Sequence, residues 1–145
     1  MDKVGFRRIR ALLGKSQRDV AGLLGISLKA VESYEQGWRG IPSNVERMLY
    51  VLLFKLNEKA FALEAPCWTA KSCSEGSRKD CVAYVTGEGH FCWFFTGGLC
   101  ASAKASGMGE RHCYGCAVFS RRKALVESAA EPGAIAETLC DDWSI

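Results

Sequence analysis

"SQRDVAGLLGISLKAVESYEQG", residues 16–37, decides how the front of this chain folds. Val20, Ala21 and Leu24 recur at helical spacing and give one apolar face. Ser16, with Asp19 three residues on, is a helix-start pattern. Gly25 follows, and a residue without Cβ tolerates the positive φ of a tight turn. Ser27 can cap the next helix, and Ile26 and Val31 fit a hydrophobic staple across that start. Gly37 ends it. Two short helices joined by a glycine turn make a helix-turn-helix pattern.

The pattern extends both ways. Upstream, Phe6, Ile9 and Leu13 share a helical face that Gly14 terminates. Downstream, Ser43 and Glu46 form a second capping-box pattern. Val45, Met48, Leu49, Leu52, Leu53 and Leu56 then supply the packed face of a longer helix. Pro66 disfavours helix at Ala65, so this module is expected to close near "LEAP", residues 63–66.

Residues 6–56 resemble the Cro/phage-repressor (xenobiotic-response-element) family of DNA-binding domains. The likeness is carried by residues 16–37, by Pro42-Ser43 and by the leucine-rich helix after them. It implies that residues 16–24 form the first helix of the motif and residues 27–36 the recognition helix, which enters the major groove. Leu28, Lys29 and Ser33 would be its outward positions. Lys29 suits guanine O6 or N7, and Leu28 a thymine methyl. Gln17 and Ser27 would hold phosphates at helix starts, as would Arg39 on the loop and Asn44 at the next helix. Glu35 would pair with Arg10 in a structural role, and Val31 would be core. Tyr34 and Trp38 are open between packing and DNA contact. The implied partner is double-stranded DNA with a two-fold operator, bound by a homodimer. The plainer alternative is a helical protein-interaction domain.

Charge and cysteine content divide the 145 residues. Residues 1–64 carry 11 Lys and Arg against 7 Asp and Glu, whereas residues 65–145 carry 8 against 9 and all eight cysteines. The expected organisation is a DNA-binding domain over 1–64, a cysteine-rich domain over 65–119 and a helical tail over 120–145. No run of roughly 18 apolar residues predicts a membrane span. "MDKVGFRRIRALLG" has no secretion pattern, so a cytoplasmic, reducing location is expected. There, cysteines serve as metal ligands, redox centres or buried thiols more often than as disulfides.

The second part contains "CWTAKSC" and "CWFFTGGLC", each beginning Cys-Trp and ending in Cys. Glycines cluster from 87 to 115, which predicts loop-rich structure with short aromatic strands such as "HFCWFF". About 55 residues of this kind are hard to stabilise alone, and domains of that size often need a metal or cross-link. One knuckle, Cys113-x-x-Cys116, suits a single metal centre. Structural zinc commonly uses two such knuckles, whereas iron–sulfur ligands can be scattered. Both metals accept soft thiolates. The candidate ligands are Cys113 and Cys116, with partners from Cys67, Cys73, Cys81, Cys92 and Cys100. Trp68 and Trp93 are read as packing near the sulfurs. His90 and His112 adjoin cysteines; each could serve as a ligand, but the preferred reading is a surface role. Cys140 is read as a separate thiol.

This region resembles a cysteine-rich "two-CW" type module of bacterial signalling proteins. The matching positions are Cys67-Trp68, Cys73, Cys81-x-Ala83, Cys92-Trp93, Thr96-Gly97, Cys100, Cys113-x-x-Cys116 and Phe119. "CVAY" stands where Cys-Pro-Ala is usual. The resemblance implies a metal or redox site without naming the metal.

In the tail, "RRKALVESAA" predicts a helix, with Arg121, Arg122 and Lys123 as a solvated patch. Pro132-Gly133 should break it, and "AIAETL" predicts another helix. The tail is a candidate dimer contact. The expected fold is an all-α helix-turn-helix domain followed by a small, loop-rich, metal-stabilised cysteine-rich domain with a helical tail. The expected function is a transcription regulator whose iron–sulfur cluster, [4Fe-4S] favoured, senses redox state or oxygen. A repressor with structural zinc and a thiol-redox or electron-transfer protein are the alternatives. No acid–base pair or activated nucleophile is evident, so neither catalytic residues nor enzymatic activity is expected.

Overall fold

Ser16 opens its helix as the spacing predicts. Its hydroxyl accepts from Asp19 N at 3.1 Å while the Asp19 carboxylate accepts from Ser16 N at 2.9 Å. Such a cap stabilises by about 1 kcal/mol. The structure, a computed structural model, describes residues 1–107 and 111–130. Its helices are α1 (Lys3–Leu12), α2 (Gln17–Leu24), α3 (Leu28–Gln36) and α4 (Ser43–Leu56). Seven more follow: α5 (Cys67–Ala70), α6 (Glu75–Lys79), α7 (Val82–Val85), α8 (Cys92–Phe95), α9 (Ala101–Ser106), α10 (Arg111–Gly115) and α11 (Ala117–Ala129). Among the described residues there is no strand. No described helix is long and apolar enough to cross a membrane.

The chain divides into two compact units. The first is Met1–Asn57 with the described residues from Glu127 on, and the second is Glu58–Val126. The division precedes the "LEAP" stretch because Phe61 already packs in the second unit, with its ring 5.6 Å from His90 and 6.0 Å from Phe91.

In the first unit, Gly25 at φ 63° and Gly37 at φ 79° end α2 and α3 in the left-handed region. There a Cβ costs about 1–2 kcal/mol. Phe6, Ile9, Leu13, Val20, Val31, Leu49, Leu53 and Phe54 form the core. Two expectations for α4 are corrected. Ser43 is its first helical residue rather than its cap, because Pro42 takes the cap position. Met48 is exposed rather than packed.

One carboxylate ties three helices of this unit together. Arg10 of α1 donates through Nε to Glu35 Oε1 at 2.5 Å and through Nη2 to Oε2 at 3.2 Å. Gln17 Nε2 of α2 donates to Glu35 Oε2 at 2.7 Å. Arg7 also donates to the Glu35 carbonyl. Burial pushes the Glu35 carboxyl upward, but the Arg10 and Gln17 hydrogen bonds and the arginine charges outweigh it and hold it below its ordinary value.

The second unit is helical where loops and strands were expected, and Cys92–Phe95 of "HFCWFF" form α8 instead of a strand. A four-residue helix satisfies these backbone groups locally, so no partner strand is needed. The predicted tail helix is α11, which starts at Ala117. The 134–139 segment and Cys140 lie outside the described residues.

Because the folded Glu35 carboxyl is depressed, its stabilisation is present above the unfolded value of about 4.3. It is lost as pH falls through the lower folded value. E35Q should cost about 2 kcal/mol at neutral pH. It should also flatten the loss of stability between roughly pH 5 and pH 3, read by amide exchange of α1–α3 in both proteins.

Candidate functional site

The seven described cysteines line one cavity of about 400 Å³ in the second unit: Cys67, Cys73, Cys81, Cys92, Cys100, Cys113 and Cys116. No disulfide joins them. Short helices place them. Cys67 and Cys92 begin α5 and α8, so both Cys-Trp segments enter the site at a helix start. Cys113 lies on α10, and Cys116 directly precedes α11.

The two Cys-Trp segments meet backbone to backbone. Cys67 N donates to Gly89 O at 3.2 Å. Gly89 is buried at the contact, and a Cβ there would stand 2.6 Å from Pro66 Cβ and 2.7 Å from the Trp68 ring. The Cys81-x-Ala83 segment is fastened to Thr96, which is buried. Ala83 N donates to Thr96 Oγ1 at 3.3 Å, and Cys81 Sγ lies 3.7 Å from the same oxygen. Arg78 Nε donates to Cys73 O at 2.9 Å and so holds that cysteine's backbone.

The tryptophans pack, as read from the sequence. Trp93 is buried, lines the cavity and meets Phe119 at 5.3 Å, while Trp68 meets Tyr84 at 5.0 Å. His90 does not line the cavity. Its Nε2 lies 2.8 Å from Glu64 O. The His112 side chain lies outside the described residues.

The basic run on α11 is corrected. Arg121 is exposed and pairs with Glu64, but Arg122 is only 2% exposed, not solvated. It falls between Val118 and Val126 on the buried stripe of the helix, at spacing i, i+4, i+8. That spacing was the available signal, masked by two flanking charged residues.

The thiols are not equivalent. Cys67 and Cys92 share a hydrogen bond. That bond, helped by the Arg122 charge against the effect of burial, lowers Cys92 to about 7. The same bond, together with burial, pushes Cys67 up.

Among the described residues, no three Cys, His, Asp or Glu side chains already converge on a point that could hold one ion. A tetrahedral zinc with bonds of about 2.3 Å needs four sulfurs drawn close together. A multi-iron cluster takes one thiolate on each of several irons, which suits thiols spread around a cavity wall. The donor set is soft: seven thiols, no lining imidazole, and Asp80 as the one lining carboxylate described. Lys71, Arg78 and Lys104 also line the cavity and favour an anionic occupant. The lining therefore has the soft donor chemistry of a thiolate site, without a preformed ion-holding group among the described residues.

In the first unit, Lys29 is exposed and Leu28 half-buried at the start of α3. Ser33 is corrected. It is buried, and its hydroxyl donates to Lys29 O at 2.8 Å, so it does not face outward. Glu32 and Gln36, three and seven residues after Lys29, are the exposed positions that sequence reasoning missed. Helical spacing alone would have found them. Ser27 is exposed and caps α3 by accepting from Ala30 N at 3.1 Å. Gln17 is half-buried and engaged with Glu35. Arg39 and Asn44 are exposed, Trp38 is 78% exposed, and Tyr34 is buried against Phe6.

No protein-family model, curated protein or solved structure matches the chain.

G89A should destabilise the second unit by about 1–3 kcal/mol through overpacking. G76A adds a methyl into open space on α6 and should leave the unit unchanged or slightly more stable. Thermal unfolding followed by near-ultraviolet tryptophan dichroism compares the two.

Proposed function

We propose that this protein is a DNA-binding transcription regulator. Its second unit holds a thiolate-ligated iron–sulfur cluster, [4Fe-4S] favoured, and reports redox state or oxygen. The observation that carries the sensing half is the gathering of seven cysteines on one cavity wall. Packing needs no such collection of thiols, whereas a metal cluster does. When bound, the cluster supplies one-electron redox chemistry. The chain's own part is to hold four sulfurs from the seven, with Cys113 and Cys116 as the first pair. Trp93 and Phe119 keep water from them, and burial of that kind tunes cluster potential.

The DNA-binding half is supported by two short helices around a left-handed glycine and by the exposed face of α3. On that face Lys29 suits guanine, Glu32 a cytosine amino group and Gln36 adenine. Ser27, Arg39 and Asn44 are exposed where phosphates would run. Binding as a homodimer to a two-fold operator belongs to this reading.

The test begins with selection of binding sequences from random duplexes by the anaerobic full chain. Affinity for the selected duplex is then measured before and after exposure to air. A change on exposure is expected, and it should vanish in C113S/C116S. Equal affinity in all four cases would remove the sensing role. Failure to select any sequence would remove the DNA-binding role. K29A should weaken binding about tenfold and relax one base preference, while S33A, at a buried position, should leave base preference unchanged.

A further inference from the structure

Arg122 is among the largest fully buried side chains described in the protein. A buried guanidinium loses several kcal/mol of hydration unless partners replace it. Its partners here are unusual. Nη2 donates to Ala65 O at 2.7 Å, and Nη1 donates to Gly89 O at 2.9 Å and His90 O at 3.3 Å. Among the described residues no carboxylate lies within ion-pair distance of it; the Glu64 carboxylate pairs with Arg121, and its charge reaches Arg122 only at longer range. Three carbonyls satisfy donors, but they do not cancel a full positive charge.

The carbonyls are not scattered. Ala65 lies two residues before Cys67, and Gly89 and His90 lie three and two residues before Cys92. One planar fork therefore sets the register of both Cys-Trp segments, which the Cys67 N to Gly89 O bond also joins. Only arginine has donors enough and rigid enough for this grip.

We propose that Arg122 is the positioning residue and fixed counter-charge of the thiolate centre. It grips both Cys-Trp segments through their backbone and offsets negative charge on the metal-bound sulfurs. The proposal rests on the reading that these thiolates hold a metal. Net charge and hydrogen bonds to sulfur set the potential of such centres. A cation held there favours the more negative, reduced state.

The experiment compares the full chain with R122Q and R122K, each reconstituted anaerobically with iron and sulfide. Metal content, helix content and midpoint potential are measured. Both variants weaken the grip on the carbonyls; R122Q also loses the charge, whereas R122K keeps it. In R122Q the reduced state should be disfavoured at least tenfold, a shift of about 59 mV to more negative potential for one electron. R122K should return most of that shift. If the wild-type centre proves to be zinc, chelator competition replaces the potential, and the expected order is wild type, R122K, then R122Q at least tenfold weaker. Collapse of R122Q alone, with R122K folded and at a wild-type value, also supports a required charge.

Equal values in wild type and R122Q overturn the proposal and leave the metal reading intact. So does equal loss of fold in both variants, which makes Arg122 a structural clamp alone. A wild-type chain that takes up no metal overturns both together.

Discussion

Seven sulfur atoms around one cavity is the constraint on which the second unit depends. A segment of short helices has little apolar core with which to hold seven cysteines in place. The buried apolar set of this unit is small, centred on Phe61, Phe91, Trp93, Val118 and Phe119. Polar ties to the backbone do much of the holding. Arg122 fastens the approaches to Cys67 and Cys92, Thr96 fastens Ala83, and Arg78 fastens Cys73. Each tie holds the backbone at or near a cysteine that lines the cavity. On the reading proposed above, a thiolate-bound metal would join the sulfurs of this arrangement.

The first unit solves a different problem. Its helices have ample apolar faces, and polarity serves to fix register. Glu35 is the centre of that register, since its carboxylate binds Arg10 of α1 and Gln17 of α2 from its place on α3. With Val31, Ser33, Tyr34 and Glu35 turned inward, α3 leaves Lys29, Glu32 and Gln36 at its surface. The inward face is determined by packing and one ion pair, so the fold places no packing demand on the outward residues.

Legibility in the sequence followed the range of the forces involved. Local signals were readable. The cap at Ser16, the left-handed glycines at 25 and 37, and the apolar stripe of α1 all appear where spacing puts them. The Arg10–Glu35 pair was reached through family resemblance, and the structure brings the two together. Ser33 was misplaced because a small polar residue satisfies its hydroxyl within its own helix and can be buried at little cost. The second unit was harder. Four- and five-residue helices show no full hydrophobic period, so glycine-rich text looked like loop. Arg122 looked solvated because its partners are carbonyls 32 to 57 residues away, and nothing local announces a carbonyl.

The central claim is that the gathered thiols hold an iron–sulfur cluster, and metal analysis of the full chain purified without oxygen tests it most directly. Iron, acid-labile sulfide and zinc are quantified beside a visible absorption spectrum. The account predicts a brown protein with iron and sulfide in matched amounts, broad absorbance near roughly 400 nm and little zinc. A colourless protein containing about one zinc and no sulfide would contradict it and make the cysteines a structural staple.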